Sequence, residues 1–91
     1  MNAALVEEFS RESLTQWLVE KVAHYLEKNP SEIDPHQHLA DYGLDSVYAI
    51  RLCGDIEELI KMPVEPTLVW DYPSIDEMVQ FLEQELGTPI T

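Results

Sequence analysis

From Leu14 onward the chain repeats apolar residues at steps of three, four and seven: Leu14, Trp17, Leu18, Val22, Tyr25 and Leu26. That spacing is the period of a helix with one buried face. Ser13 and Gln16 fit a capping box at its start, with Ser10 as a rival start. The helix is expected to stop near Lys28, because Asn29 suits a left-handed terminal residue and Pro30 cannot continue a helix. A second helical run extends from Ser46 to about Lys61. At about 100° per residue, Ala49, Leu52, Cys53, Ile56, Leu59 and Ile60 form its core stripe. Val47, Ile50, Arg51, Gly54, Glu57 and Glu58 fall on the opposite side. Pro66 to Asp71 has room for a single turn with proline near its start, and Trp70 reads there as a packing residue. Ser74 and Glu77 form another capping box, followed by Ile75, Met78, Val79, Leu82 and Leu86 at helical spacing, with Gly87 and Pro89 as the stop. The pattern predicts an all-α fold of three long helices and one short one, a small up-and-down bundle.

Between the first two helices, residues 29 to 45 hold no sustained period and are rich in turn formers, so they read as one long loop. Loops of that length inside a small domain usually serve function. Ile33 and Leu39 are its expected anchors in the core. Asp34, His36 and His38 fall close together, but a zinc site needs three or four converging ligands with support behind them. They are read as solvated loop residues, with no metal. Residues 1 to 12 form a partly ordered lead-in whose notable apolar groups are Leu5, Val6 and Phe9. The domain proper is expected over 13 to 87, and 88 to 91 form a tail.

Charge changes the picture more than length does. The 91 residues carry 18 Asp and Glu against 5 Lys and Arg, a formal net charge of -13. Such a field repels nucleic acid and anionic membranes and speeds encounter with basic protein surfaces. The single cysteine, Cys53, has no partner for an internal disulfide, and no secretion signal or stretch long enough for a membrane span is found. A soluble, cytoplasmic protein, monomeric as an isolated domain, is expected.

Candidate chemistry gathers where the long loop becomes the second helix, at Asp41-Tyr42-Gly43-Leu44-Asp45-Ser46-Val47. The first-turn N–H groups of a helix lack intrahelical partners and carry the positive end of its dipole, so oxygen or phosphate is stabilised there. Asp45 and Ser46 compete for the cap, and whichever loses remains near the surface for chemistry. Gly43 permits a sharp bend, including positive φ, and puts no side chain in the way of a partner. In the helix interior Gly54 costs about 1 kcal/mol relative to alanine. Close approach of another backbone or side chain would explain it. With Val47 and Ile50 beside it, this side of the helix reads either as a partner-binding surface or as isolated surface aliphatics.

Gly43-Leu44-Asp45-Ser46-Val47 resembles the attachment site of the acyl and peptidyl carrier protein family, whose core is Asp-Ser and an aliphatic residue preceded by glycine. That family's later pattern of Pro-Thr, an aromatic, then Pro-Ser and an aliphatic is matched by Pro66-Thr67, Trp70 and Pro73-Ser74-Ile75. The resemblance spans nearly the whole chain and implies a four-helix acyl-carrier bundle without catalytic activity of its own. It implies that Ser46 carries covalent phosphopantetheine from coenzyme A, installed by a phosphopantetheinyl transferase, with Gly43 and Leu44 completing the motif. Asp45 would help place Mg²⁺ or the transferase. The partners implied are ketosynthase, acyltransferase or other modifying enzymes of a synthase. The Gly-Leu-Asp-Ser form with Asp41-Tyr42 ahead of it looks most like polyketide synthase carriers. Val47, Tyr48, Arg51 and Cys53-Gly54 depart from the fatty acid synthase pattern, in which leucine and further acids are common. Met1 and the short flanks permit a free-standing carrier.

Two rival readings compete. A hydrolase nucleophile would sit in Gly-x-Ser-x-Gly with a histidine and an oxyanion pocket, none of which the frame around Ser46 offers. The other is a helical interaction module in which Ser46 is only an N-cap.

Overall fold

The computed structural model describes residues 10–87. Among them are four α-helices: α1 (Arg11–Leu26), α2 (Ser46–Ile60), α3 (Leu68–Asp71) and α4 (Ile75–Gly87). This is the expected bundle of three long helices and one short. The only strand-like pairing among the described residues is an isolated bridge between His38 and Ser74. The readings made for residues 1–9, the 88–91 tail and the Leu86 side chain lie outside what is described.

The start and end of α1 both differ from expectation. Ser10 is the cap: its Oγ accepts from Ser13 N–H at 3.2 Å, and Ser13 Oγ accepts from Ser10 N–H at 3.0 Å. Ser13 is thereby engaged as the third residue of the box, and Gln16, its expected partner, donates to Glu20 at 3.0 Å instead. The helix then ends at Leu26, with Glu27 left-handed at φ 57°. Glu27 N–H donates to His24 O and Lys28 N–H to Ala23 O, the paired bonds of a Schellman motif. Asn29 is extended, at φ -76° and ψ 144°. A residue before proline is pushed out of the α region, so the turn that closes α1 is completed before Asn29.

The long loop contains two 3₁₀ turns, Pro30–Glu32 and Leu39–Tyr42. Ile33 and Leu39 are buried, as expected. The loop is stitched to the start of α4, since Leu39 N–H donates to Pro73 O and Asp76 N–H to Pro35 O, both at 2.8 Å. Asp34 Oδ1 accepts from His36 N–H at 2.9 Å, a local turn bond. The expected Ser74–Glu77 box is present, with each backbone N–H donating to the other's side chain at 3.2 Å.

Packing follows the predicted stripes. Leu18, Val22, Leu39, Leu52, Ile56, Ile75, Met78 and Val79 are fully enclosed, and burying each such side chain is worth about 2 kcal/mol. In α2, Ala49, Leu52, Cys53, Ile56 and Ile60 are buried, while Leu59 is only partly covered. Trp70 is a correction. Leu68 and Val69 face the core, but Trp70 stands 51 % exposed, because one turn of helix cannot bury three successive residues on one side.

Cys53 packs with Sγ 3.8 Å from Pro66 O. Burial, the largest cause, pushes its thiol pKa up, which disfavours the reactive thiolate. Cys53→Ala is expected to lower stability by about 1 kcal/mol in a denaturant melt and to leave chemistry at Ser46 untouched.

Candidate functional site

Three successive conformations build the corner before α2. The 3₁₀ turn Leu39–Tyr42 ends at Gly43, whose φ of 83° is left-handed. A Cβ there would meet nothing within 4 Å, so glycine is required by the backbone and not by crowding. Leu44 is buried and pulls the chain back to the core. Asp45 is extended and caps α2, its Oδ1 accepting from Tyr48 N–H at 3.0 Å. The competition for the cap is thus resolved in favour of Asp45. Ser46 becomes the first helical residue, exposed, with its hydroxyl free of the capping role. Tyr42 fixes the approach, its hydroxyl accepting from Asp34 N–H at 2.7 Å.

The outward side of α2 is apolar beside Ser46. Val47 is 60 % and Ile50 58 % exposed, and Arg51, Gly54 and Glu58 are exposed with them. A Cβ on Gly54 would meet nothing within 4 Å, so no neighbour among the described residues requires this glycine. Glu57 behaves differently from its expected place on the outward, partner-facing side. It is partly buried, and its Oε2 accepts from Val64 N–H at 2.8 Å, tying α2 to the connector. Glu57→Lys is therefore expected to lower Tm as well as association rate, whereas Glu58→Lys should alter only the salt-dependent rate. Melting curves beside stopped-flow association at two ionic strengths separate the two.

A polar cluster on the inner flank of α2 was not legible in the sequence. The Tyr25 hydroxyl of α1 donates to Asp55 Oδ2, and Lys21 Nζ lies 3.8 Å from the same oxygen. The Tyr25 ring stacks on Tyr48, with centroids 5.6 Å apart and planes 15° off parallel. Burial, then the bond to Asp55, pushes the Tyr25 pKa up to about 12, so the phenol remains a donor across the neutral range. The one signal available was that Tyr48 and Asp55 are seven residues apart, two helical turns.

An open cleft of about 340 Å³ lies between the end of α2, the connector and α4, lined by Ile60, Met62, Val64, Tyr72 and Phe81. It does not surround Ser46. His36 instead turns toward Asp76, with Nδ1 3.9 Å from Oδ2, and His38 pairs with Ser74. Among the described residues, neither this cleft nor these two histidines supplies the hydrolase reading with a pocket or base at Ser46.

On this four-helix bundle an exposed serine lies one residue past a capping aspartate at the start of α2. The family model for the phosphopantetheine attachment site matches residues 16–82, and the chain belongs to that family. The 6-methylsalicylic acid synthase of Penicillium expansum is 33 % identical over 66 residues, 72 % of this chain and 4 % of that protein. A phenolphthiocerol/phthiocerol polyketide synthase polypeptide of Mycobacterium tuberculosis is 33 % identical over 76 residues, 84 % of this chain and again 4 % of that protein. The chain thus spans a small fraction of the length of these relatives. Among solved structures, a free-standing peptidyl carrier protein from Acinetobacter baumannii superposes with a TM-score of 0.83 at 38 % identity, covering 86 % of this chain and 98 % of that one. The chain is a carrier domain of the class to which phosphopantetheine is covalently attached.

Proposed function

We propose that Ser46 is the attachment point and that the domain carries acyl intermediates of a polyketide-type synthase. The observation that supports this most directly is the exposed Ser46 hydroxyl at the first position of α2, with the cap taken by Asp45. The surroundings fit the group: the N–H end of a helix favours a phosphodiester, and Gly43 and Gly54 have open space beside them. In loading, Ser46 Oγ forms a bond to the β-phosphorus of coenzyme A. The phosphoanhydride bond breaks, 3′,5′-ADP leaves, and the hydroxyl proton passes to a base of the transferase. Asp45, exposed with Oδ1 committed to the cap, has Oδ2 to offer to Mg²⁺. Once attached, the arm supplies a thiol that holds acyl groups as thioesters.

The polyketide assignment rests on the synthase relatives together with Gly43-Leu44-Asp45-Ser46. Transferase, ketosynthase and acyltransferase would then dock on Val47, Ile50, Arg51 and Gly54, where a bare backbone permits close approach. Trp70 adds a half-exposed indole, of the kind enriched at interfaces. Glu58 and the net charge of -13 steer basic surfaces. The carrier domain we take to be 13 to 87 with the preceding cap of α1, and a single cysteine suits the reducing cytoplasm. Arg51, an exposed cation beside the aliphatic residues of this face, selects a partner with a matching acid. Arg51→Glu is expected to slow acyl transfer to a polyketide ketosynthase more than to a fatty acid synthase ketosynthase; equal rates for wild type and variant with both enzymes would make Arg51 an ordinary solvated residue.

The attachment itself is tested by incubating the chain with coenzyme A, Mg²⁺ and a broad-specificity phosphopantetheinyl transferase. One arm's mass should be added. An unchanged mass overturns the reading.

A further inference from the structure

We infer that Tyr25 is a positioning residue for arm transfer: lying against α2 from Tyr48 to Asp55, it holds the first turn of that helix so that the Ser46 hydroxyl meets the transferase in one orientation. This rests on Ser46 as the attachment point.

Beyond the Asp45 cap and buried Leu44 ahead of it, the side chains of the first turn of α2 add little to hold it. Ser46 and Val47 are exposed, and the buried stripe begins only at Ala49. Tyr48 is the one partly covered side chain among the first three residues, and the ring stacked on it is that of Tyr25. The same side chain reaches two turns further, where its hydroxyl donates to Asp55. Tyr48 and Asp55, seven residues apart, differ by only about 20° around the helix axis, so one tyrosine can contact both. Ser46 falls roughly opposite them on the wheel, at about 160–180°. A change in the rotation or fraying of the first turn that parts Tyr25 from α2 therefore moves the hydroxyl most.

The geometry divides the work within the side chain. The ring restrains Tyr48, whose own N–H is bonded to the capping Asp45, and the hydroxyl fixes where the ring lies by its bond to Asp55. Lys21 Nζ, 3.8 Å from Asp55 Oδ2, draws the carboxylate toward α1. Reactions that depend on alignment lose rate steeply when a nucleophile is misplaced by a fraction of an ångström, even where binding persists. The docking residues Val47, Ile50 and Arg51 remain exposed whether or not the strut is made, so its loss should appear in kcat more than in KM.

The test uses coenzyme A and a broad-specificity phosphopantetheinyl transferase, at a temperature well below the Tm of every variant, with amide hydrogen exchange measured in parallel on the unloaded protein. Tyr25→Phe keeps the ring and removes the donor; Asp55→Ala removes the acceptor; Asp55→Asn retains an acceptor. Tyr25→Phe and Asp55→Ala should each lower kcat about tenfold with KM nearly constant, and the double variant should be no slower than either. Both should speed exchange at the Ala49 amide, which bonds to Asp45 O at 3.0 Å, while Asp55→Asn stays near wild type in both measurements. If Tyr25→Phe lowers only Tm and leaves kcat and Ala49 exchange as in wild type, Tyr25 is a packing residue and the inference is wrong. Failure of the wild type to accept an arm would overturn the reading of Ser46 instead, and the exchange data would still decide whether the strut holds the first turn.

Discussion

Ser46→Ala is expected to remove arm addition completely and to leave the fold intact. The second half of this result separates a carrier from a module whose serine merely caps a helix. A capping serine replaced by alanine costs about 1 kcal/mol, but the cap of α2 is Asp45 and Ser46 lies inside the first turn, exposed. Alanine is the best helix former, so the variant should melt at or slightly above the wild-type temperature. Asp45→Ala is expected to show the converse pattern in stability, losing about 1 kcal/mol as the Tyr48 N–H is left without its acceptor. Mass spectra after transferase treatment and thermal melts of the two variants report both effects.

Ile50→Asp should reduce acyl transfer to partner enzymes by on the order of 10²-fold, equivalent to about 3 kcal/mol for an unpaired charge buried in a complex. Ile50 is 58 % exposed in the free domain, so the aspartate remains hydrated there and the melt should barely change. Screening distinguishes this loss from the general acidic field. A field effect fades as salt shortens the Debye length, whereas the cost of desolvating a carboxylate persists, so the deficit of Ile50→Asp should be the same at low and high ionic strength. Transfer assays against one ketosynthase at two salt concentrations measure it.

Local chemistry was legible in the sequence and long-range contact was not. The Ser74–Glu77 box and the buried stripe of α2 follow from spacing within one element, and both are present. For α1, two serines three residues apart offered two overlapping boxes. The choice of Ser10 adds Arg11 to the helix, where it reaches Glu83 of α4 at 2.7 Å, a contact 72 residues away in sequence. Trp70 reads as a packing residue on residue type alone, since four residues of helix carry no usable period. Glu57 falls on the outward side of the α2 wheel, and only the connector folding back brings Val64 N–H to it. The Tyr25–Asp55 bond spans 30 residues and joins two helices whose relative rotation no pattern in either one specifies. At the candidate site the order of capping was open between Asp45 and Ser46. Extended backbone at Asp45, following the left-handed Gly43, decides it.

The central claim is that acyl groups ride on Ser46 through the arm and not on the chain's own thiol. Loading with acetyl-coenzyme A and transferase, followed by trypsin, separates the two candidates, because cleavage after Lys28, Arg51 and Lys61 places Ser46 in peptide 29–51 and Cys53 in peptide 52–61. The account predicts arm plus acetyl on peptide 29–51, with fragment ions assigning it to Ser46 and not Ser31. Neutral hydroxylamine should then strip the acetyl group as a thioester and leave the arm in place. Acetyl found on peptide 52–61, or an arm assigned to any residue other than Ser46, would contradict it.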